Sequence, residues 1–119
     1  MKRRRPEQDL QLAVAKLLDH ILPAEAFWFH IPNGGKRGII EASIFKHMGV
    51  KKGVPDIAVC HDGTVDFIEL KAPGSYATPE QKEVATKLFA AGLRVLVCRT
   101  LDDVIAALRN CGVKVRLAA

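Results

Sequence analysis

The sequence predicts an α/β domain in which helices flank a mixed β-sheet with an αβββαβ core. Segments with apolar residues at three- and four-residue spacing alternate with short β-branched runs. An Asp-Gly pair between two of these runs is typical of a β-hairpin. A helical segment separates the second hairpin strand from the next strand, which is the crossover that parallel pairing requires. The 119 residues fit one domain, 1–119, with a single core.

The N-terminal third predicts a helix, a strand and a short second helix. Residues 1–6 are basic and expected to be flexible. Helical spacing of apolar residues then runs from Glu7 to Leu22, and Pro23 ends the helix. Residues 27–31 are aromatic and β-branched, which indicates a strand, and we interpret its aromatic side chains as core rather than as base-stacking groups. Residues 39–48 predict the second helix.

The rest of the chain predicts a hairpin, two helices and two further strands. The hairpin strands, 56–60 and 65–70, flank Asp62-Gly63. In the helix that follows, Thr78 is the expected N-cap, Pro79 the first helical residue and Gly92 the left-handed terminator. The remaining elements are a strand over 94–98, a helix from its cap at Thr100 to Arg109, and a last strand over 113–117.

Composition excludes several classes of protein. No apolar run approaches the ~20 residues that cross a bilayer, and Pro6-Glu7-Gln8-Asp9 stands where a signal peptide would turn apolar. The three cysteines, Cys60, Cys98 and Cys111, are far apart, which indicates buried, reduced thiols in a cytoplasmic protein. The net charge of +5 is concentrated at 2–5 and 36–52. A polyanionic partner is compatible with that charge, although many basic surfaces are simply solvated.

The hairpin register brings two carboxylates together. If Asp62-Gly63 form the centre of a type I′ turn, His61 pairs with Thr64, and Asp56 then lies directly opposite Glu69. Side chains so placed have Cβ atoms ~4.5–5.5 Å apart on one face of the sheet. A shared proton, a basic side chain or a bound cation must offset their repulsion.

Lys71 lies two residues beyond Glu69 and therefore on the same face if the strand continues. Oxygen ligands without His or Cys suit a hard cation such as Mg²⁺ or Mn²⁺. Phosphodiester hydrolysis uses such a cation together with an ammonium group. In the alternative interpretation Asp56 merely ends a strand, Glu69 faces solvent and Lys71 is an edge charge; a one-residue slip would separate the carboxylates.

These residues resemble a known family. Gly53-Val54-Pro55-Asp56 followed by Glu69-Leu70-Lys71 is similar to the GxPD and ExK elements of the PD-(D/E)xK nuclease superfamily. Further matching elements resemble its VRR-NUC (virus-type replication-repair nuclease) group: Glu7, Pro32-Asn33-Gly34-Gly35, the stretch 49–56 and Thr78-Pro79-Glu80-Gln81. The resemblance covers residues 7–99 and implies a restriction-endonuclease-like fold.

The resemblance also implies roles for individual residues. Asp56, Glu69 and the Leu70 carbonyl would hold the metal, Glu7 would complete the acidic cluster, and Lys71 would position the attacking water. Gln81 would lie at the catalytic site. Glu7 is equally typical of a solvated first-turn glutamate, and Thr78-x-x-Gln81 is equally a capping box.

Candidate phosphate contacts are the polar and basic residues of the two glycine-bearing loops, Asn33, Lys36, Arg37, Lys51 and Lys52. The histidines show no ligand spacing, so we interpret His30, His47 and His61 as structural or solvated.

The function expected from the resemblance is that of a structure-selective DNA endonuclease, dependent on Mg²⁺ or Mn²⁺ and similar to Holliday junction resolvases. Two opposed strands require two sites, which favours a homodimer acting on branched DNA; a phage or bacterial source suits so compact a nuclease. The alternatives are a catalytically silent nucleic-acid-binding or scaffold domain and a flap- or end-directed nuclease. An enzyme acting on small phosphate esters is disfavoured because the sequence has no GxxxxGK[ST] or GxGxxG loop.

Overall fold

Helices are interspersed with strands along the chain in the computed structural model, which describes residues 5–32 and 38–117. The elements in these ranges are α1 (Pro6–Ile21), β1 (Phe27–His30), α2 (Ile39–His47), β2 (Ile57–His61), β3 (Thr64–Leu70), α3 (Pro79–Ala90), β4 (Arg94–Cys98) and α4 (Leu101–Asn110). The predicted αβββαβ core is confirmed and consists of α1, β1, β2, β3, α3 and β4. No helix in the described ranges is long and apolar enough to span a membrane.

The four strands form one mixed sheet in the order β1-β2-β3-β4. β1 pairs with β2, and β2 with β3, in antiparallel orientation. β4 pairs with β3 in parallel orientation, with α3 as the crossover. The sheet is therefore the mixed one that the sequence predicts.

The hairpin turn has the predicted type and register. Asp62 and Gly63 both adopt positive φ, 48° and 73°, as a type I′ turn requires. His61 pairs with Thr64, and the register continues outward to the pair Ile57 and Ile68. This is the register that directs Asp56 and Glu69 toward each other.

The hydrophobic core lies on one face of the sheet, between the strands and helices α1 and α4. Ile57, Val59 and Ile68 are fully buried there against Leu18 of α1 and Leu108 of α4. Because side chains alternate along a strand, the residues between them point to the opposite face. Asp56 and Glu69 belong to that opposite face, away from α1.

The predicted last strand over 113–117 is wrong. These residues do not enter the sheet; the Arg116 backbone N–H donates to the Ile21 carbonyl at 2.6 Å, and its Nη2 donates to the Leu22 carbonyl at 2.8 Å. The carbonyls at the end of a helix lack helical partners. The segment therefore closes the C-terminus of α1, while Val113 is buried in the core.

The aromatic residues of β1 are only partly in the core. Trp28 packs against the core cluster, and its Nε1 donates to Asp19 Oδ1 at 2.8 Å, which confirms the prediction for this residue. Phe27 and Phe29, by contrast, are 67% and 44% exposed. Strand alternation directs them to the face opposite α1, so the core prediction is wrong for these two residues.

The helix caps agree with the sequence. Thr78 and Thr100 each form a capping box, with Gln81 and Asp103 respectively. Gly92 follows α3 with a φ of 88°. None of the three cysteines forms a disulfide, and Cys98 is buried, which raises the pKa of its thiol to about 11. Cys60 and Cys111 are half-buried rather than buried.

Candidate active site

The Asp56 backbone is fixed at the point where the chain enters β2. Its N–H donates to the Ile68 carbonyl at 3.1 Å, and its own carbonyl accepts from the Ile31 N–H at 2.7 Å. His30 Nδ1 lies 2.8 Å from the same carbonyl and must carry the proton there, because a carbonyl oxygen only accepts. The residue is thus held from both neighbouring strands, one position before β2 begins at Ile57, whereas the sequence predicts a strand that begins at Asp56 itself.

The Asp56 carboxylate is oriented by the strand opposite. The Leu70 backbone N–H donates to Asp56 Oδ2 at 2.7 Å. A hydrogen bond to a carboxylate is charge-assisted and restricts how the group can turn. One oxygen of Asp56 is therefore committed to β3, in the immediate neighbourhood of Glu69.

Glu69 is the buried acid of the site. Glu69 is 4% exposed, and Gln81 Nε2 donates to its Oε1 at 2.8 Å. Burial raises its pKa from 4.5 to about 8, with a further contribution from the adjacent Asp56 carboxylate and a smaller one from Glu7. The charge of Lys71 lowers the pKa of Glu69 but does not cancel these effects. In the metal-free protein Glu69 therefore keeps a proton at neutral pH.

Lys71 lies just beyond β3 and is 5% exposed. Its backbone N–H donates to the Cys98 carbonyl at 3.0 Å, which extends the pairing with β4 past the last strand residue. This continuation keeps Lys71 on the same face as Glu69, two residues away. The structure thus brings Asp56, Glu69 and Lys71 together, as the hairpin register predicts.

Gln81 belongs both to the cap of α3 and to this cluster. Its Oε1 accepts from the Thr78 backbone N–H at 2.9 Å, and its backbone N–H donates to Thr78 Oγ1 at 3.2 Å. Its Nε2 is then left for Glu69. The capping and site interpretations of this residue hold together, because one amide group serves both with its two different atoms.

The two functions of Gln81 can be separated by substitution. Gln81→Glu keeps an oxygen for the Thr78 N–H but replaces the Nε2 donor with a carboxylate facing Glu69, so we expect normal α3 capping with a disturbed acidic site. Thr78→Ala removes only the cap and should cost ~1 kcal/mol in the free energy of unfolding. Urea unfolding and Mn²⁺ titration of both variants test this. Equal Mn²⁺ affinity in Gln81→Glu and wild type would contradict a role of Gln81 at the site.

Gly53 allows the loop before Asp56 to contact α3 closely. Its φ is +85°, and a Cβ at this position would lie 2.5 Å from the backbone carbon and oxygen of Glu80 and 2.8 Å from Gln81 N. Contacts this short with backbone require movement of the loop or of the helix. The GxPD glycine therefore sets the distance between the Asp56 loop and the first turn of α3.

Gly53→Ala should destabilise the protein more than Gly49→Ala. Gly49 has a similar φ of +99° but open space around its Cβ position, so its substitution adds backbone strain alone, ~1–2 kcal/mol. Gly53→Ala adds a collision with α3 to the same strain. Urea midpoints of both variants measure the difference, and equal midpoints would show that the close approach is unimportant.

Glu7 lies in the first turn of α1 and is exposed. Its Oε1 accepts from Ser75 Oγ at 3.1 Å, and its charge contributes to raising the pKa of Glu69. Within residues 5–32 and 38–117, no group of three or more His, Cys, Asp or Glu side chains is arranged to hold a metal ion. Glu7 is thus close enough to act electrostatically, and its part as a metal ligand stays a prediction.

The donors present nevertheless fit a hard divalent cation. Asp56 and Glu69 supply carboxylate oxygens only, and the burial of Glu69, followed by the nearby charge of Asp56, raises the pKa of Glu69. A cation would replace the proton that Glu69 retains. Mg²⁺ binds proteins through one or two carboxylates and retains several waters, so two side chains are sufficient.

The structure describes only some of the residues that are predicted to contact nucleic acid. Lys51 and Lys52 are described and exposed, in the loop between α2 and Gly53. Three further predicted contacts, Asn33, Lys36 and Arg37, lie outside the described residues.

Sequence reasoning missed the supporting residues of the site. Interpreting His30 as structural or solvated did not foresee its bond to the Asp56 carbonyl, and Ser75 was not considered at all. A lone histidine ending a strand and a serine in a loop carry no spacing signal. Only the tertiary pairing of β1 with β2 and of the 72–76 loop with α1 reveals them.

The chain is similar to two proteins named as nucleases or nuclease domains. It is 40% identical over 53 residues to "Putative nuclease p44" of Acyrthosiphon pisum secondary endosymbiont phage 1. That match covers 44% of this chain and 57% of the phage protein, so the chain spans about half the length of this curated relative. No protein-family model matches the chain.

A solved structure named "VRR_NUC domain protein" resembles the whole domain. It superposes with a TM-score of 0.65 and 28% sequence identity, over 92% of this chain and 89% of that one. The mixed sheet and its flanking helices agree with this likeness. The chain is therefore similar to a VRR-NUC domain over nearly its whole length and has the same restriction-endonuclease-like fold.

Proposed function

We propose that this protein is a divalent-metal-dependent DNA endonuclease that hydrolyses phosphodiester bonds. One observation carries the proposal: Asp56 and Glu69 meet beside Lys71 with Glu69 buried and its pKa raised to about 8. Burying Glu69 beside the partly buried carboxylate of Asp56 costs free energy in the metal-free state. That arrangement has no use in a domain that only binds a polyanion, whereas a metal-dependent hydrolase requires it.

Each residue of the cluster has a distinct part in this proposal. Asp56 and Glu69 would hold Mg²⁺ or Mn²⁺ with the Leu70 carbonyl, and Gln81 would orient Glu69 through the bond from Nε2. Lys71, whose side chain is mostly buried, would hold the attacking water by its ammonium group and stabilise negative charge on the phosphate. Glu7 would add negative charge from α1. The cation, when bound, supplies Lewis acidity at the phosphate.

Nucleic acid would approach across the basic loop that precedes Asp56. Lys51 and Lys52 are exposed and lie on the same loop as Gly53 and Asp56. Lysines so placed bind phosphates without reading sequence. Asn33, Lys36 and Arg37 complete the proposed contact set. The absence of an evident base-reading element in the sequence favours recognition of DNA structure, and branched DNA is the proposed substrate.

A homodimer would supply two sites for two opposed strands. Its structural support is a set of exposed apolar side chains outside the core. Phe27 and Phe29 of β1 are exposed, and α2 buries none of its residues. The large apolar side chains of α2 that are more than half exposed are Ile39, Ile40 and Ile44, with Met48 at its C-cap. Apolar surface of this extent indicates a protein interface.

Substrate and metal specificity are tested directly by cleavage. Four-way junction, flap, single-stranded and duplex DNA are incubated with Mg²⁺ or Mn²⁺, and products are separated on denaturing gels. We expect incision of branched substrates in preference to duplex. Binding of all four substrates without cleavage by either metal would favour the silent scaffold, and cleavage restricted to flaps or ends would favour the flap- or end-directed nuclease.

Lysine substitution on α2 should weaken self-association. Ile40→Lys places a charge on a side chain that is 78% exposed in the single chain and that a dimer would bury. We expect sedimentation velocity to show a dimer at micromolar concentration for the wild type and a monomer for Ile40→Lys. Leu12→Lys on α1, 59% exposed, is the matched control. A wild-type monomer both with and without DNA would contradict the dimer.

A further inference from the structure

The loop that follows Lys71 presents an aromatic side chain beside the active site. Residues Ala72 to Ser75 form a β-turn closed by the Ser75 N–H, which donates to the Ala72 carbonyl at 3.0 Å. Pro73 and Gly74, with its φ of +80°, occupy the positions that favour Pro and require Gly in a type II turn. Ser75 also bonds to Glu7. The next residue, Tyr76, therefore begins at a fixed place, adjacent to the residue that bonds to Glu7.

The Tyr76 ring is contacted on one face and is otherwise exposed to solvent. The Arg99 guanidinium lies over the ring, 5.3 Å from its centroid, while the residue as a whole is 77% exposed. Arg99 is itself anchored, because its Nη1 donates to the Ala72 carbonyl at 2.8 Å. The turn, the arginine and the tyrosine thus form one unit, which we call the Tyr76 platform (Ala72–Tyr76 with Arg99).

The charge of the platform matches a nucleic acid. Across the part of the chain that the structure describes, no carboxylate lies within ion-pair distance of the Arg99 guanidinium. Sites for unpaired nucleic acid combine aromatic side chains, on which bases stack, with cation–π contributions from arginine. A mostly exposed tyrosine beside the positive charge of Arg99 contributes little to the core, yet it is suited to a nucleobase whose phosphate lies nearby.

We propose that the Tyr76 platform stacks an unpaired nucleobase next to the scissile phosphate. The proposal rests on the proposed nuclease function and extends it with a determinant of substrate structure. Bases inside a duplex are already stacked on both faces, so a side-chain platform can take only a base that is unpaired or displaced at a branch. Tyr76 would thereby favour branched over continuous duplex DNA without reading sequence.

The test measures stacking separately from cleavage. A junction with 2-aminopurine at the branch point is titrated with protein in Ca²⁺ and, in parallel, in EDTA. We expect wild type and Tyr76→Phe to quench the fluorescence, since both keep the ring. Tyr76→Leu should leave the probe unquenched and bind the junction about 5- to 100-fold more weakly. Phe89→Leu, an aromatic truncation at a residue 74% exposed and ten residues along α3 from Pro79, is the matched control.

The outcomes distinguish the platform from the nuclease. Quenching that depends on the ring at position 76 supports the platform even if no substrate is cut, in which case only the proposed function fails. Equal affinity and equal quenching in wild type and Tyr76→Leu would overturn the platform. An equal loss of binding to continuous duplex in Tyr76→Leu would also overturn it, because the effect would then not depend on an unpaired base.

Discussion

Asp56→Asn and Lys71→Ala are each expected to lower the single-turnover rate of junction cleavage by a factor of about 10² to 10⁴. Asparagine keeps an oxygen for the Leu70 N–H but removes the negative charge that would hold the cation. Lys71→Ala removes the ammonium group proposed to hold the attacking water. The fold should persist in both, since neither side chain belongs to the hydrophobic core.

Matched surface variants serve as controls for these two substitutions. Asp62→Asn changes an aspartate at the hairpin tip, and Lys114→Ala an exposed lysine near the C-terminus. Both should retain the wild-type rate. The rates are measured with enzyme in excess, and circular dichroism confirms folding. Cleavage by Asp56→Asn and Lys71→Ala at the wild-type rate would refute the proposed catalytic cluster.

Glu69→Gln should stabilise the metal-free protein at alkaline pH. Glu69 with a pKa of about 8 retains a proton that the unfolded chain releases near pH 4.5. The folded state therefore binds more protons in this interval, and the free energy of unfolding falls as the pH rises from 4.5 to 8. Glutamine resembles the protonated acid and removes this decline. The expected gain at pH 8.5 is up to about 5 kcal/mol, because each unit of the rise in pKa from 4.5 to about 8 corresponds to ~1.4 kcal/mol.

The same variant should lose its stabilisation by metal. For the wild type, a cation present at one hundred times its dissociation constant adds about 2.7 kcal/mol. Glu69→Gln should show little of that increase, so the difference in stability between the two proteins at pH 8.5 should narrow when EDTA is replaced by Mn²⁺. Urea unfolding at pH 5.5 and 8.5, with EDTA or Mn²⁺, gives all the values. Glu25→Gln, an exposed acid, is the control. If Glu69→Gln and the wild type had equal free energies of unfolding at pH 8.5 in EDTA, the raised pKa of Glu69 would be contradicted.

The centre of the site was predictable because the hairpin encodes it locally. Asp62-Gly63 determine the turn type, the turn type determines the register, and the register determines which side chains meet. Only short-range information is needed for Asp56 and Glu69. The boundary error at β2, which starts at Ile57 rather than Asp56, left the register intact because pairing is counted from the turn.

The predictions that were wrong concern residues whose structure depends on tertiary contacts. Residues 113–117 have the composition of a strand. Arg116 instead donates hydrogen bonds to the carbonyls of Ile21 and Leu22 at the end of α1. Phe27 and Phe29 have core chemistry but lie on the face opposite α1. Propensity alone cannot tell which backbone groups or which face of a sheet another element will cover.

The distance between the hairpin tip and the carboxylates has a practical consequence for modifying this protein. Asp62 lies six residues from Asp56, about 20 Å along an extended strand. A fluorophore or an inserted peptide at Asp62-Gly63 would stand well away from the acidic cluster, provided that His61 still pairs with Thr64. A single residue of any size inserted between Thr64 and Glu69 would move the Glu69 side chain to the face that packs against α1. Glu69 would then no longer lie beside Asp56.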